Sequence, residues 1–233
     1  MPLRAALGTW LPAWRPVPPQ VCAVCGDWAR GPACSNCLAR FAAPRPRCRR
    51  CALPLMAGQA LCGRCLLAPP PFARAVAALD YGFPWDRLVL RWKQSGELAL
   101  TGLFAPLMRH ALADEAPVDA VLPMPASPGR LRERGYDHAL LLARAVDARA
   151  DGTLLRRWRD TPHQTGLDRA ARQANLRGAF MLAPGRRAAV QGRHLALVDD
   201  VMTTGASVTE ASQVLLQAGA ASVSLWLLAR TPE

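Results

Sequence analysis

Eight cysteines, all between positions 22 and 65, set the strongest constraint on this 233-residue chain. They form four Cys-x-x-Cys pairs, Cys22/Cys25, Cys34/Cys37, Cys48/Cys51 and Cys62/Cys65, and no cysteine lies elsewhere. Two thiolates three positions apart on a tight turn grip one metal ion, and a second such pair closes the tetrahedron of structural zinc. Four pairs imply two zinc ions. A disulfide framework would call for a secreted chain and a less regular spacing, and a thioredoxin-like redox site uses one pair ahead of a helix in a larger fold. Here all four pairs sit in a Pro- and Arg-rich stretch with little core of its own. Consecutive pairing, first four and last four, needs only short loops and would make two ribbons in tandem. Spacing alone leaves an interleaved arrangement open.

The charge follows the same division. Net charge is +12, yet Lys93 is the only lysine and isoleucine is absent, so part of the arginine excess fits a GC-rich coding sequence. Residues 1–70 hold nine arginines against one acid, Asp27, while the remaining 163 residues hold 20 basic and 16 acidic groups. The basic character therefore belongs to the N-terminal third. Eight thiolates and two Zn²⁺ add −4, which lowers +8 in that segment to about +4. Arg45, Arg47, Arg49 and Arg50, crowded around Cys48, read either as phosphate contacts or as a solvated turn between ribbons. No apolar run approaches the roughly 20 residues of a membrane span, and the first 19 residues are too rich in Pro and Trp for a signal-peptide core. A cytoplasmic location with reduced cysteines is the expectation.

The organisation expected is an arm over residues 1–20, a double zinc ribbon over 21–68, a Pro69-Pro70-Pro71 linker and an α/β domain over 72–233. Strand candidates are Ala75 to Tyr81, Val118 to Pro123, Thr153 to Trp158, Gly178 to Leu182, Leu195 to Asp199 and Ala221 to Ala229, with helical stretches between most of them. That order predicts a parallel sheet flanked by helices. The last unit is the clearest: Leu195-Ala196-Leu197-Val198 is a buried-strand run, Val208, Ala211, Leu215 and Ala218 mark one helix face, and Gly219 closes it. The intervening loop lies at the carboxyl edge of the sheet, where open α/β folds bind ligands. Thr203, Thr204, Gly205, Ala206 and Ser207 are small enough for backbone N–H groups to close around a phosphate at a helix N-terminus, with hydroxyls as further donors. Asp199 and Asp200 would then accept hydrogen bonds from vicinal ribose hydroxyls and help hold a Mg²⁺.

The string Val198 to Ser207 resembles the signature loop of type I phosphoribosyltransferases. Four Cys-x-x-Cys pairs before such a domain, with Val121-Leu122-Pro123-Met124-Pro125, Arg130-Leu131-Arg132-Glu133-Arg134-Gly135-Tyr136 and Thr161-Pro162-His163-Gln164-Thr165-Gly166-Leu167, resemble the ComF/GntX family of competence-related proteins. The resemblance spans nearly everything after residue 20. It implies that Asp199, Asp200 and Thr203 to Ser207 bind phosphoribosyl pyrophosphate, with the two acids as the catalytic candidates. It also implies that Arg130, Arg132, Arg134 and Gly135 form a pyrophosphate loop. Arginines there would favour departure of an anionic leaving group. Arg159, Thr161, Gln164 and Gly166 fall in a polar stretch that reads as a flexible loop able to close over the ligand. Lys93 sits where the family has a basic residue that can reach a phosphate. One departure stands out: Asp137-His138 follows Tyr136 where the family commonly has Asn-Gln, and a negative charge is unhelpful beside pyrophosphate.

Two functions follow from the resemblance. One is handling of single-stranded DNA during uptake, with the basic ribbons as the DNA contact and Trp28 and Phe41 as the main stacking candidates; a DNA-uptake partner such as a helicase would fit the same role. The other is an active Mg²⁺-dependent phosphoribosyltransferase with an unknown acceptor. A third reading makes both modules structural, with the chain acting by docking to a partner such as a helicase. DNA handling ranks first.

Overall fold

The computed structural model describes residues 19–159 and 176–232. At the N-terminus, β1 (Gln20–Val21) and β2 (Trp28–Ala29) pair antiparallel, followed by two short helices, α1 (Ser35–Phe41) and α2 (Gly63–Leu67). Each of these helices starts directly after a cysteine, Cys34 or Cys62.

The centre of the molecule is a four-stranded sheet of β3 (Arg74–Asp80), β4 (Ala120–Pro123), β7 (His194–Met202) and β8 (Ser222–Arg230). The spatial order is β3-β8-β7-β4, and every pairing is parallel. Parallel strands need crossovers, supplied here by α3 (Trp85–Gln94), α4 (Thr101–Ala111), α5 (Pro128–Arg134), α6 (His138–Val146) and α7 (Ala206–Gln217). No helix among the described residues is long and apolar enough to cross a membrane.

Alternation along β7 shows how the sheet is buried on both faces. Leu195 and Leu197 join one core with Val208, Ala211 and Leu215 of α7, while Ala196 and Val198 join the opposite core with Trp92, Phe104 and Leu142. All six expected strands form, but two of them lie outside the parallel sheet. β5 (Leu155–Arg157) and β6 (Phe180–Leu182) make a separate antiparallel ribbon. Their sequences explain this: Leu155 and Phe180 are buried whereas Arg156 and Met181 are exposed, the one-sided pattern of a ribbon with a wet face.

The cysteine segment is not a detached module. Cys48, Cys51, Cys62 and Cys65 belong to the same core as α7, and Cys22 and Cys37 to the core beneath α3 and α4. The arginines around Cys48 serve this docking. Arg45 and Arg47 both pair with Asp80 at the end of β3, and Arg50 donates to the Phe72 carbonyl at 3.3 Å. Of the two readings of that cluster, these contacts favour neither phosphate binding nor solvation for Arg45, Arg47 and Arg50.

Arg230 is the deepest of these ties. It is buried at the end of β8, and its Nε donates to the Cys51 carbonyl at 3.1 Å while Nη1 donates to the Met202 carbonyl at 3.1 Å. One side chain thus joins the second cysteine cluster to the last residue of β7. Arg230→Met is expected to strip both carbonyls of this donor and cost about 2–4 kcal/mol. In a thermal melt the midpoint should fall by about 5–10 °C. An unchanged midpoint would show that the strut carries no stability.

Candidate functional site

Asp199 and Asp200 lie within β7 itself rather than in the loop, since the strand runs on through Met202. The turn that follows is Thr203 to Gly205, with Gly205 at φ +80, a left-handed conformation that favours glycine. It caps α7 without a side-chain acceptor, leaving backbone N–H groups of the first turn available, although the Thr204 hydroxyl accepts from Ala206 N–H at 3.4 Å.

The two acids form the floor of a cleft of about 360 Å³ at the carboxyl edge of the sheet. Lys93 at the end of α3 reaches across, its Nζ 2.7 Å from Asp200 Oδ1. Burial, and secondly the adjacent Asp200 carboxylate, push the Asp199 carboxyl up to about 7, with Lys93 acting in the opposite direction. Ionising both acids fully in this setting therefore calls for more positive charge than one ammonium. Arg130, Arg134 and Arg157 supply a cationic rim around the same cleft. Acids on the floor and guanidinium groups above suit a ligand that is itself anionic and carries a divalent cation.

The structure divides the expected pyrophosphate loop. α5 begins at Ser127, whose hydroxyl accepts from Arg130 N–H, has Pro128 in its first turn, and ends at Gly135 with φ +78. On this helix Arg130 and Arg134 are four positions apart and share the face toward the cleft; Arg132, between them, is exposed and does not line it. Gly135 acts as the helix terminator.

Asp137-His138 acquires a structural explanation. Asp137 caps α6, accepting from Leu140 N–H at 3.1 Å, and its other carboxylate oxygen accepts from Ala126 N–H at 3.1 Å, which ties α6 to the segment before α5. Its charge is thereby taken up by two backbone donors. His138 is buried with Nε2 3.0 Å from the Trp92 carbonyl, and its ring packs edge-on between Trp92 and Tyr136 at centroid distances of 4.7 and 4.8 Å. Burial holds His138 below the usual imidazole range. The residue next to Trp92 is Lys93, so this contact steadies the element that delivers the ammonium.

Ser207 shares the cleft with the two acids, whereas Thr204, Gly205 and Ala206 line a neighbouring cavity of about 250 Å³. Its opposite wall is Arg64, Cys65 and the segment Pro69 to Phe72. Thr203 is exposed and lines neither. The single cradle expected over positions 203–207 is thus shared between two cavities. Of the expected flexible-loop residues, Arg159 is exposed at the end of the ribbon; Thr161, Gln164 and Gly166, with His163, lie outside the described residues. Arg157 and Tyr136 were missed as cleft residues by sequence reasoning. Arg157 stands over the Phe180 ring at 5.7 Å, a placement that depends on the β5/β6 pairing.

The cysteines resolve into two groups, Cys22, Cys25, Cys34 and Cys37, then Cys48, Cys51, Cys62 and Cys65, the consecutive arrangement. Within each group all four sulfurs lie within 4.8 Å of one another, and each can hold one metal ion. Amide donors already point at them: Cys34 N–H to Cys22 Sγ at 3.3 Å and Cys62 N–H to Cys48 Sγ at 3.3 Å. Burial is the largest influence on Cys22 and opposes ionisation, but backbone donors from Cys25, Cys34 and Val24 outweigh it and bring the thiol to about 6. Cys37 goes the other way, to about 12, through burial and its neighbouring sulfurs. Four crowded thiols cannot all ionise unless a cation sits among them, which is the donor chemistry of tetrahedral zinc.

No protein-family model matches the chain. It is 36% identical over 177 residues to the DNA utilization protein YhgH of Escherichia coli (strain K12), the match covering 71% of this chain and 76% of the relative. The DNA utilization protein YhgH of Salmonella typhimurium is 34% identical over 177 residues, with the same coverage. Competence protein F of Haemophilus influenzae is 30% identical over 171 residues, covering 69% of this chain and 74% of the relative. The solved structure of the allosteric regulatory enzyme of purine biosynthesis aligns at 16% identity and a TM-score of 0.36, over 55% of this chain and 26% of that one, a likeness too low to carry an argument.

Proposed function

The chain belongs to the ComF/GntX family, and on that premise we propose that it binds phosphoribosyl pyrophosphate with Mg²⁺ in the cleft over Asp199 and Asp200 and acts in the handling of single-stranded DNA. The observation that carries the ligand assignment is the shared cleft in which Asp199 and Asp200, with the backbone-held Asp137 beside them, meet four cations, Lys93, Arg130, Arg134 and Arg157. In this reading Asp199 and Asp200 hold the ribose hydroxyls and the metal, while Arg130 and Arg134 take the pyrophosphate. Bound Mg²⁺ would neutralise the pyrophosphate and allow both acids to ionise. Lys93, released from Asp200, would then be free to pair with a ligand oxygen. Ser207 and the first turn of α7 would receive the 5′-phosphate, with the Thr203 to Ala206 segment adjusting to close on it. The stretch Arg159 to Gly166 is assigned the covering flap on sequence grounds alone. The DNA role is supported by the names of the relatives, which are a DNA utilization protein and a competence protein.

Calorimetry tests the ligand. Phosphoribosyl pyrophosphate added with Mg²⁺ should give a saturable heat with one site per chain, and the heat should vanish when Mg²⁺ is replaced by a chelator. Ribose 5-phosphate binding as tightly as the pyrophosphate would overturn the role given to Arg130 and Arg134. Pyrophosphate release on addition of candidate nucleobases distinguishes a transferase from a ligand-responsive DNA-handling protein; release above the spontaneous rate would establish turnover.

A further inference from the structure

The outward face of the β5/β6 ribbon carries a surface that neither the ligand cleft nor the cysteine clusters uses. Arg156 pairs with Met181 and Arg157 with Phe180 across the ribbon. Strand alternation turns Arg157 and Phe180 toward the cleft and leaves Arg156 and Met181 outside. Trp158 extends this outer face and is 59% exposed. Its indole N–H donates to the Gly178 carbonyl at 2.7 Å, which fixes the ring while leaving much of it in solvent. Arg159 and Arg177, both exposed, meet beside it, with Arg159 Nη2 donating to the Arg177 carbonyl at 2.9 Å.

The surrounding charge is lopsided. Among the described residues of the ribbon and its flanks the charged groups are Arg156, Arg157, Arg159 and Arg177, and the carboxylate that α7 brings to Gly178 is Glu210, which accepts from Gly178 N–H at 2.6 Å. A fixed, exposed indole amid guanidinium groups matches a polyanion whose bases are unstacked. Duplex DNA would satisfy the arginines but would offer no free base to the indole.

We propose that the outer face of β5/β6, centred on Trp158 with Arg156, Arg159 and Arg177, is a contact surface for single-stranded DNA. A base stacks on the indole and the guanidinium groups take the flanking phosphates. This rests on the DNA-handling part of the reading above and puts the contact on the α/β domain rather than on the cysteine ribbons.

The test is fluorescence anisotropy of a labelled oligothymidylate titrated with the full, zinc-loaded chain over a range of salt. Trp158→Ala should weaken binding about tenfold, with Trp158→Phe recovering most of the loss. Arg156→Gln should reduce the steepness of the log-affinity against log-salt plot by about 0.7. Phosphoribosyl pyrophosphate calorimetry on the same variants should be unchanged, which shows that they are folded and separates this surface from the cleft. Wild-type affinity in both Trp158→Ala and Arg156→Gln would overturn the proposal. So would an equal preference for duplex, effective competition by polyglutamate at matched charge, or a loss confined to Trp28→Ala. Failure of the wild-type chain to bind the oligonucleotide at low salt would remove the DNA role together with this surface, leaving the sugar-phosphate assignment standing.

Discussion

Asp199→Asn/Asp200→Asn is expected to reduce phosphoribosyl pyrophosphate affinity by about 100-fold or more, with the Mg²⁺-dependent heat disappearing. Asparagine keeps the shape and some hydrogen bonding of each side chain but removes both charges that a divalent cation would balance. The variant should nevertheless fold. Asp199 has its carboxyl raised toward 7 by burial and by Asp200, so its folded-state proton affinity exceeds that of the unfolded chain. For such a group the native state is favoured at low pH and loses stability as pH rises from the unfolded carboxylate range through about 7. Replacing Asp199 alone with asparagine removes that loss, and its melting midpoint at neutral pH should equal or exceed that of the wild type. Charges that oppose the stability of the fold on their own are the behaviour expected of a binding site. Retained affinity in the double variant would sink the assignment of the ligand to this cleft. A cooperative melt at or above the wild-type midpoint in Asp199→Asn excludes unfolding as the reason for lost binding in that variant.

The second large effect is an asymmetry between the cysteine clusters. Metal analysis of the wild type should give two zinc ions per chain, and both Cys25→Ser and Cys51→Ser should lower that to about one. Their stabilities should differ. Cys51 is 5% exposed and lies in the core shared with α7, and its carbonyl is held by Arg230. Loss of that metal leaves three thiols and the new hydroxyl crowded in an apolar setting and loosens Arg230, which also donates to the Met202 carbonyl at the entrance to the Thr203 to Gly205 turn. Cys25 is exposed. Cys51→Ser is therefore expected to lower the melting midpoint by more than about 10 °C and Cys25→Ser by only about a third of that. Ligand binding should weaken in Cys51→Ser and persist in Cys25→Ser. Equal destabilisation would mean that the two clusters are interchangeable supports, and a wild-type content of one zinc or none would overturn the ligand count.

Local chemistry makes much of the site legible in the sequence. The apolar run Leu195 to Val198, the acids after it and the small residues before a helical face specify strand, turn and helix through patterns that span only a few residues. The acids proved to lie inside the strand, which extends to Met202 because Val201 and Met202 keep their pairing with β8. The helical period is present in the sequence too. Applied to α5, it separates Arg130 and Arg134 from Arg132.

Other features could not be read locally. Arg157 enters the cleft because β5 pairs with β6 across more than twenty intervening positions. His138 supports Lys93 through a carbonyl 46 positions away. Thr204 to Ala206 face a second cavity because the segment Pro69 to Phe72, far away in sequence, packs opposite them.

By itself, then, the sequence determined where the candidate groups lie along the chain: eight thiols in four pairs, two acids towards the end of a strand, and a run of small residues before a helix. Residue type and short spacing suffice for that, since metal ligation, capping and phosphate binding depend on atoms only a few positions apart. Tertiary structure alone decided which of those groups meet. The consecutive grouping of the cysteines, the merging of each cluster with a different core, and the placing of acids and arginines in one cleft all depend on contacts between segments distant in the chain. Such contacts are chosen by how whole faces bury together, and no local pattern records that choice.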